Sequence, residues 1–416
     1  MKSTLFGKRT RPVGVVGIAL ATVVALALLC PSTTEAKFTL KDSVGDNEMK
    51  LQIYGFSQFE MRGGDGWAIS KNKADNGLDF QAQRIRVGFN YFHGPIAGKL
   101  FLDFNQSHTS DEGGLPKMIK DAFVAYRWND AAFLRLGMIK TPLGMDFTVP
   151  GWNLDIIERN GLEKALVLER DFGLMLSGRL IGQGRWADKP MKTNGLEMGN
   201  ERQGYGFGYD LMVANPAGRS SAVTWNDGAT RGDALSYIGR VHFDYGKPLH
   251  VEAAYGVSEK AAGLVPEPPA VPAPGTNEDY EVWDVGISSE LMESRLELKL
   301  EFIEGNNIRG VKDRKQTTAV FTAGYLFLPS LQGVIKTYQS ESDVPGAADK
   351  TELGNTYIGL NWYLARVSEK HRDLQRHKLV FNYVFVNGDD IDSDVQWNGL
   401  SGYRDATYGI QWQYKF

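Results

Sequence analysis

The sequence predicts an all-β protein: a transmembrane antiparallel β-barrel of about 16 strands, with short periplasmic turns and long external loops. Three observations predict it. Apolar and polar residues alternate in stretches of about ten from residue 49 to the last residue, a length and period that suit tilted membrane strands. An export-type segment opens the chain, and beyond it no run approaches the roughly 20 apolar residues of a membrane helix.

The opening segment has three parts in order. "MKSTLFGKRTRP" carries Lys2, Lys8, Arg9 and Arg11, "VGVVGIALATVVALALL" is an unbroken apolar run, and "PSTTEA" supplies small residues before Lys37. This order predicts a secretory signal peptide over residues 1–36, cut after Ala36. Its removal takes away four basic residues and one acid (Glu35), moving the net charge from −4 to −7. Cys30, the single cysteine, leaves with it. The mature chain therefore has no disulfide, no thiolate metal site and no C-x-x-C-H haem site, and its negative charge argues against a nucleic-acid partner.

Residues 37–48 are expected to form an N-terminal periplasmic segment, and 49–416 the barrel. Strands are expected near 49–62, 79–93, 96–107, 118–128, 131–140, 172–182, 204–215, 234–245, 248–258, 280–291, 294–304, 316–328, 331–341, 354–365, 376–388 and 404–416. If the first strand leaves the periplasm, every second connection should be short. "HGPI" (93–96), "NDAA" (129–132), "YGKP" (245–248), "LMES" (291–294) and "LPSL" (328–331) meet that expectation. The intervening connections are longer: 63–78, 141–171, the Pro-rich 264–279 and the acidic 388–403. Residues 183–203 break the rule, since a long insertion stands where a short turn belongs.

The faces of the strands separate by period two. Ile85, Val87, Phe89 and Tyr91 oppose Arg84, Arg86, Gly88 and Asn90, and Leu296, Leu298, Leu300 and Phe302 oppose Glu297, Lys299 and Glu301. Tyr408, Ile410, Trp412, Tyr414 and Phe416 share the lipid-facing side of a closing strand that pairs with the first. Tyr126, Trp128, Tyr245, Trp362 and Tyr414, near strand ends, suit the aromatic girdles at the two interfaces.

A terminal Phe on such a strand resembles the assembly signature of Gram-negative outer-membrane proteins. "RIRVGFNYFHGPIAGKLFLDFNQ" (84–106), "DAFVAYRW" (121–128), "LRLGMIKTPLGMD" (134–146), "IIERNG" (156–161) and "ERDFGLMLSG" (169–178) together resemble the phosphate-selective porin O and P family. The resemblance implies a trimeric 16-stranded channel of the Gram-negative outer membrane with a preference for anions. It also implies contact with outer-membrane lipid and lipopolysaccharide, and makes Arg84 and Arg86 the basic strand of the pore. By alternation the lumen also receives Lys99, Arg127, Arg135, Arg179, Arg240, Lys299 and Lys336, together with the acids Asp103, Asp121, Asp244, Glu252, Asp284, Glu297 and Glu301. Bases alone would concentrate anions through their field, but opposite charges on neighbouring strands pair. A weak anion preference is the expectation.

The connection 141–171 carries charges among apolar residues, a composition that lets it fold inward. By resemblance it is the third external loop, a candidate constriction offering Glu158, Arg159, Lys164 and Arg170. Other motifs are weaker. Asp390, Asp392 and Asp394 have a calcium-loop rhythm, but Val395 and Ser401 stand where that loop needs Gly and Glu. "GYGFG" (204–208) lacks the helix that a dinucleotide site requires, and its small residues are expected on a strand's inner face. The histidines (His93, His108, His242, His250, His371 and His377) are dispersed, so no metal site and no cofactor is expected. No Ser, His and Asp set is recognisable. The expected function is passive diffusion of small hydrophilic solutes and ions through a wet lumen, without covalent chemistry. The alternatives are a barrel plugged by its own loops in a structural or adhesive role, and a barrel-type hydrolase.

Overall fold

A computed structural model describes residues 38–44, 47–64, 78–105, 118–181, 204–215, 234–259, 278–346, 349–364, 377–388, 400, 402–403 and 405–416. Its strands are β1 (Phe38–Val44), β2 (Asn47–Gly64), β3 (Asp79–His93), β4 (Ile96–Asp103), β5 (Ile119–Asn129) and β6 (Ala132–Lys140). They continue with β7 (Arg170–Ile181), β8 (Tyr205–Ala214), β9 (Ser236–Tyr245), β10 (Leu249–Ser258), β11 (Tyr280–Leu291) and β12 (Leu296–Asn306). The remainder are β13 (Lys315–Leu328), β14 (Leu331–Asp343), β15 (Thr351–Tyr363), β16 (His377–Gly388) and β17 (Thr407–Lys415). Two short helices, α1 (Met145–Thr148) and α2 (Gly161–Lys164), lie between β6 and β7. Among the described residues no helix is long and apolar enough to cross a membrane. Strands do the crossing.

Each strand from β2 to β17 pairs antiparallel with its successor, and β17 returns to β2 with Lys415 opposite Phe56 and Thr407 opposite Gly64. The result is the closed 16-stranded antiparallel barrel read from the sequence. Closure satisfies every ladder donor and acceptor inside the sheet, which a hydrocarbon surrounding demands. All sixteen expected strands are present, displaced by a few residues at their ends. One strand was not expected. β1 forms a hairpin with β2, Phe38 opposite Ile53 and Val44 opposite Asn47. It occupies the edge of β2 beyond Phe416, whose backbone exchanges two hydrogen bonds with Gly55. Residues 38–44 are thus ordered strand that prolongs the line of β17.

Burial follows the period-two reading. Val124, Leu136, Leu211, Val241, Leu300, Ile335 and Ile358 are 50–61% exposed on the outer wall, an apolar belt that only lipid would cover. Tyr126 stacks edge-on with Trp128, and Tyr205 with Tyr245, at the ends of their strands, as girdle residues do. Alternation fails at one informative place. Between β2 and β3 the register slips, so that Gln58 faces Arg84 and Phe59 faces Ala82, and Gln83 is skipped as a bulge. Because a bulge reverses which residues face inward, Gln81 and Gln83 join Arg84 and Arg86 in the lumen: Gln81 bonds Glu60, and Gln83 donates to Glu158 Oε2 at 2.7 Å.

Inside, Tyr54 of β2 lies flat over Gly88 of β3, and a Cβ there would stand 2.3 Å from the Tyr54 ring. Gly88→Val is expected to destabilise the barrel by roughly 1–3 kcal/mol, because the displaced ring must leave a well-packed cluster. The heat-modifiable gel shift should show it as a lower unfolding temperature.

The connections keep the predicted alternation for the five short turns. Insertion 183–203 lies outside the described residues, as do most of the Pro-rich connection and the acidic loop with Asp390, Asp392 and Asp394. A second periplasmic connection, 364–376, is also longer than the rule allows, and two external ones, 307–314 and 344–350, are shorter.

Candidate functional site: an eyelet closed by the third external loop

Residues 141–169 do not lie on the outside. They pass into the barrel, and residues 141–152 are buried throughout. A loop in that position has backbone groups that water cannot reach, so the inner faces of the wall must satisfy them. They do so strand by strand. Gly144 N donates to Asp284 Oδ2 at 2.6 Å, while Met145 N and Asp146 N donate to the two oxygens of Glu301 at 2.7 and 2.8 Å. Gln316 reaches Leu162 O, Lys378 reaches Leu154 O, Asn361 reaches Asp155 O, Gln411 reaches Ile157 O and Gln413 reaches Trp152 O. Asn160 caps α2 by accepting from Leu162 N at 2.8 Å and also donates to Asn355 and Tyr357. The loop is therefore anchored along an arc from β11 through β17 to β2.

Apolar contacts complete the anchoring. Trp152 packs edge-on against Tyr54, Phe56 and Phe101 at centroid distances of 5.5–6.2 Å. Leu143, Phe147 and Leu166 join a buried cluster from β3 to β12, and Ile156 and Leu162 join another on β13 to β16. Two clusters and an aromatic set thus hold the loop away from a free lumen.

The loop meets the arginine strand β3 at the candidate eyelet. Gly151 is the loop's close approach to the arginine strand: a Cβ there would stand 3.2 Å from Arg86 Nη1 and 3.5 Å from Arg84 Cδ. Arg84 donates to Gln58 Oε1 at 2.6 Å, and Gln58 in turn donates to Gly151 O at 3.1 Å. From the loop, Arg159 bonds Val149 O and lies 5.3 Å from the Phe147 ring centroid. Burial, together with the neighbouring Arg170 and Arg86, lowers its guanidinium to about 10. Beside them stands Glu158, tied to Arg62 and Tyr403. Burial alone would raise this carboxyl, but Arg62 brings it down to about 2. The structure thus gathers Arg84, Arg86, Arg159 and Arg170 with Glu158, Gln81 and Gln83.

Most of the expected lumen bases, Arg86 and Arg170 of the gathered group included, are neutralised. Arg86 pairs with Asp103 at 2.8 Å, Lys99 with Asp121 at 2.8 Å, and Lys299 with Glu297 at 2.6 Å and Asp155 at 3.3 Å. Arg179 pairs with Asp244 at 2.7 Å, Arg240 with Asp210 at 2.6 Å, and Lys336 with Asp146. Arg127 pairs with the turn residue Asp130, and Arg135 lies 4.5 Å from the Phe133 ring centroid. Lys164 points away from the lumen group and meets Glu169 at 2.9 Å on an exposed face. Arg170 shares Asp121 with Lys99. Among the described residues, Arg84 and Arg159 are the members of the gathered group with no carboxylate in ion-pair range. Sequence reasoning missed the inward glutamines, since only the bulge turns them in, and missed the anchoring role of the inner-face Gln, Asn and Glu residues.

A closed 16-stranded barrel with an inward loop and a charged eyelet defines a porin, a β-barrel channel of the outer membrane. The family model of phosphate-selective porin O and P matches residues 59–262 of the chain. No curated protein matches the chain. Among solved structures, the Salmonella typhi OmpF complex with daunomycin is 14% identical, covers 91% of this chain and 100% of its own, and has a TM-score of 0.57. The trimer form of Vibrio cholerae OmpT is 10% identical over 88% of this chain and 99% of its own, with a TM-score of 0.55. An anion-selective porin from Comamonas acidovorans is 13% identical over 88% and 100%, with a TM-score of 0.53. At these identities the likeness establishes the fold.

Proposed function

We propose that this porin is a passive, non-enzymatic channel for small hydrophilic anions, exported by cleavage of residues 1–36 and assembled as a homotrimer among outer-membrane lipid and lipopolysaccharide. The apolar outer belt supports the lipid contact, and the family match and the trimeric relative support the assembly. The observation that carries the anion preference is the pair Arg84 and Arg159. Both guanidiniums border the eyelet, and among the described residues neither is neutralised by an ion pair. Each carries a fixed charge that an anion meets and a cation avoids. Because the remaining bases are largely paired, the preference rests on few charges and should be modest.

Planar bilayers under a salt gradient test this reading. Wild-type channels are expected to show a reversal potential of anion sign. Arg84→Gln/Arg159→Gln should lower the anion-to-cation permeability ratio roughly tenfold, since a unit charge at ~4 Å in water is worth about 1 kcal/mol. An unchanged ratio in a folded variant would remove the anion reading and leave a general porin.

A further inference from the structure

A second polar cluster lies on the lumen wall near the periplasmic end, remote from the eyelet. In the β9–β10 hairpin, His242 and Asp244 are two residues apart, as are His250 and Glu252, so each pair shares a face. The register sets His250 opposite Asp244 and Glu252 opposite His242. Four potential ligands therefore meet on one buried patch facing the lumen. The histidines that look dispersed in the sequence are joined by a tight turn.

Ligand atoms of His242, Asp244 and His250 lie within 4.8 Å of one another. His242 Nδ1 is 2.9 Å from Asp244 Oδ2, and His250 Nδ1 is 2.8 Å from Asp244 Oδ1. His250 Nε2 is 2.7 Å from Glu252 Oε2. Both nitrogens of His250 thus face carboxylate oxygens, although a neutral imidazole carries a single N–H. A metal ion bound here would meet imidazole nitrogens and carboxylate oxygens together.

The surroundings are organised as they are around metal ligands, where outer partners fix the carboxylates. Arg179 holds Asp244 Oδ2 at 2.7 Å, while Arg240 joins Asp210 at 2.6 Å to Glu252 at 3.3 Å. Ser177 donates to Asp210 Oδ1 at 2.6 Å. Gly208 of β8 leaves the space that the His242 ring fills, because a Cβ there would stand 2.3 Å from Cε1 and Nε2. Two imidazoles and carboxylates are the donor set of zinc and its first-row neighbours. We infer that His242, Asp244 and His250, with Glu252 beside them, form a binding site for one divalent transition-metal ion such as Zn²⁺. The two nearby guanidiniums oppose a cation and should keep its affinity moderate.

Calorimetric titration of the tag-free porin in detergent with Zn²⁺ tests the inference. One ion per chain is expected, with binding that weakens on acidification because the ligands must lose protons. His242→Asn and His250→Asn should each weaken binding about tenfold or more. Pulsed EPR of the wild-type protein loaded with Cu²⁺ gives a readout independent of variant folding, and two coordinated imidazoles are expected. No saturable uptake, fewer than two imidazoles, or unchanged affinity in both folded variants would overturn the site.

Discussion

Lys336→Met is expected to loosen the constriction loop by roughly 3–5 kcal/mol, the usual consequence of stripping one partner from a buried ion pair. Lys336 is 1% exposed and Asp146 3%, and Asp146 is held by that lysine and by Tyr338 Oη at 2.7 Å. Burial would push the Asp146 carboxyl up, but these two partners keep it well below the ordinary range. Without Lys336, the Asp146 carboxylate keeps Tyr338 but loses its cation in a buried cluster at the start of α1. The backbone amides of Met145 and Asp146 still bind Glu301, so the loop should fray from this end while the barrel persists. In single-channel records the variant should show flickering, enlarged conductance, with new protease cleavage within 141–169. Adding Asp146→Leu should restore most of the steadiness, since removing both charges avoids the uncompensated one. A steady, wild-type conductance in Lys336→Met would mean that this pair does not hold the loop.

The second large effect concerns pH. Glu163, in α2, is fully buried, and its Oε1 accepts from Phe147 N at 2.7 Å while Oε2 has no hydrogen-bond partner among the described residues. Burial, reinforced by the charge of Asp146, pushes its carboxyl up to about 8. In the folded protein it is therefore protonated at neutral pH, whereas in the unfolded chain it ionises near the ordinary value of about 4.3. Between those limits the folded state binds more protons, so stability falls as pH rises from about 4.3 to 8 and then levels off. The loss amounts to a few kcal/mol on an order-of-magnitude reckoning. Above that window an unsolvated anion beside Asp146 should loosen the loop. Glu163→Gln keeps the shape and the neutral charge and should flatten this part of the profile. Unfolding temperatures read by gel shift at pH 5 and pH 9 provide the check: parallel profiles for wild type and variant would show that Glu163 does not titrate in this range.

Much of the barrel was legible because its cause is local. A strand between lipid and a polar interior must alternate, and a membrane fixes its length, so sixteen segments could be read directly. What blurred the reading was a change of parity or of pairing. The bulge at Gln83 turns two glutamines inward, and no composition signal marks it. β1 was missed because seven residues paired with the start of β2 look like any polar segment until β17 is seen to end at Phe416. His242 and His250 looked unrelated because sequence distance hides the hairpin register that faces each toward the other's acid.

Outside the bulge at Gln83, the sequence by itself determined which strand residues face out and which face in, since apolar and polar surroundings select them one at a time. Only the tertiary structure decided what the inward ones do. Gln411 and Gln413 are lumen residues by alternation, yet they hold the backbone of the folded-in loop. Arg179 and Arg240 are pore bases by position, yet carboxylates on nearby strands claim them. Arg84 and Arg159, some 75 residues apart in sequence, become one feature because the loop crosses the barrel beside β3. Whether an inward charge acts on a passing ion depends on the partners that reach it first, and those partners come from distant parts of the chain.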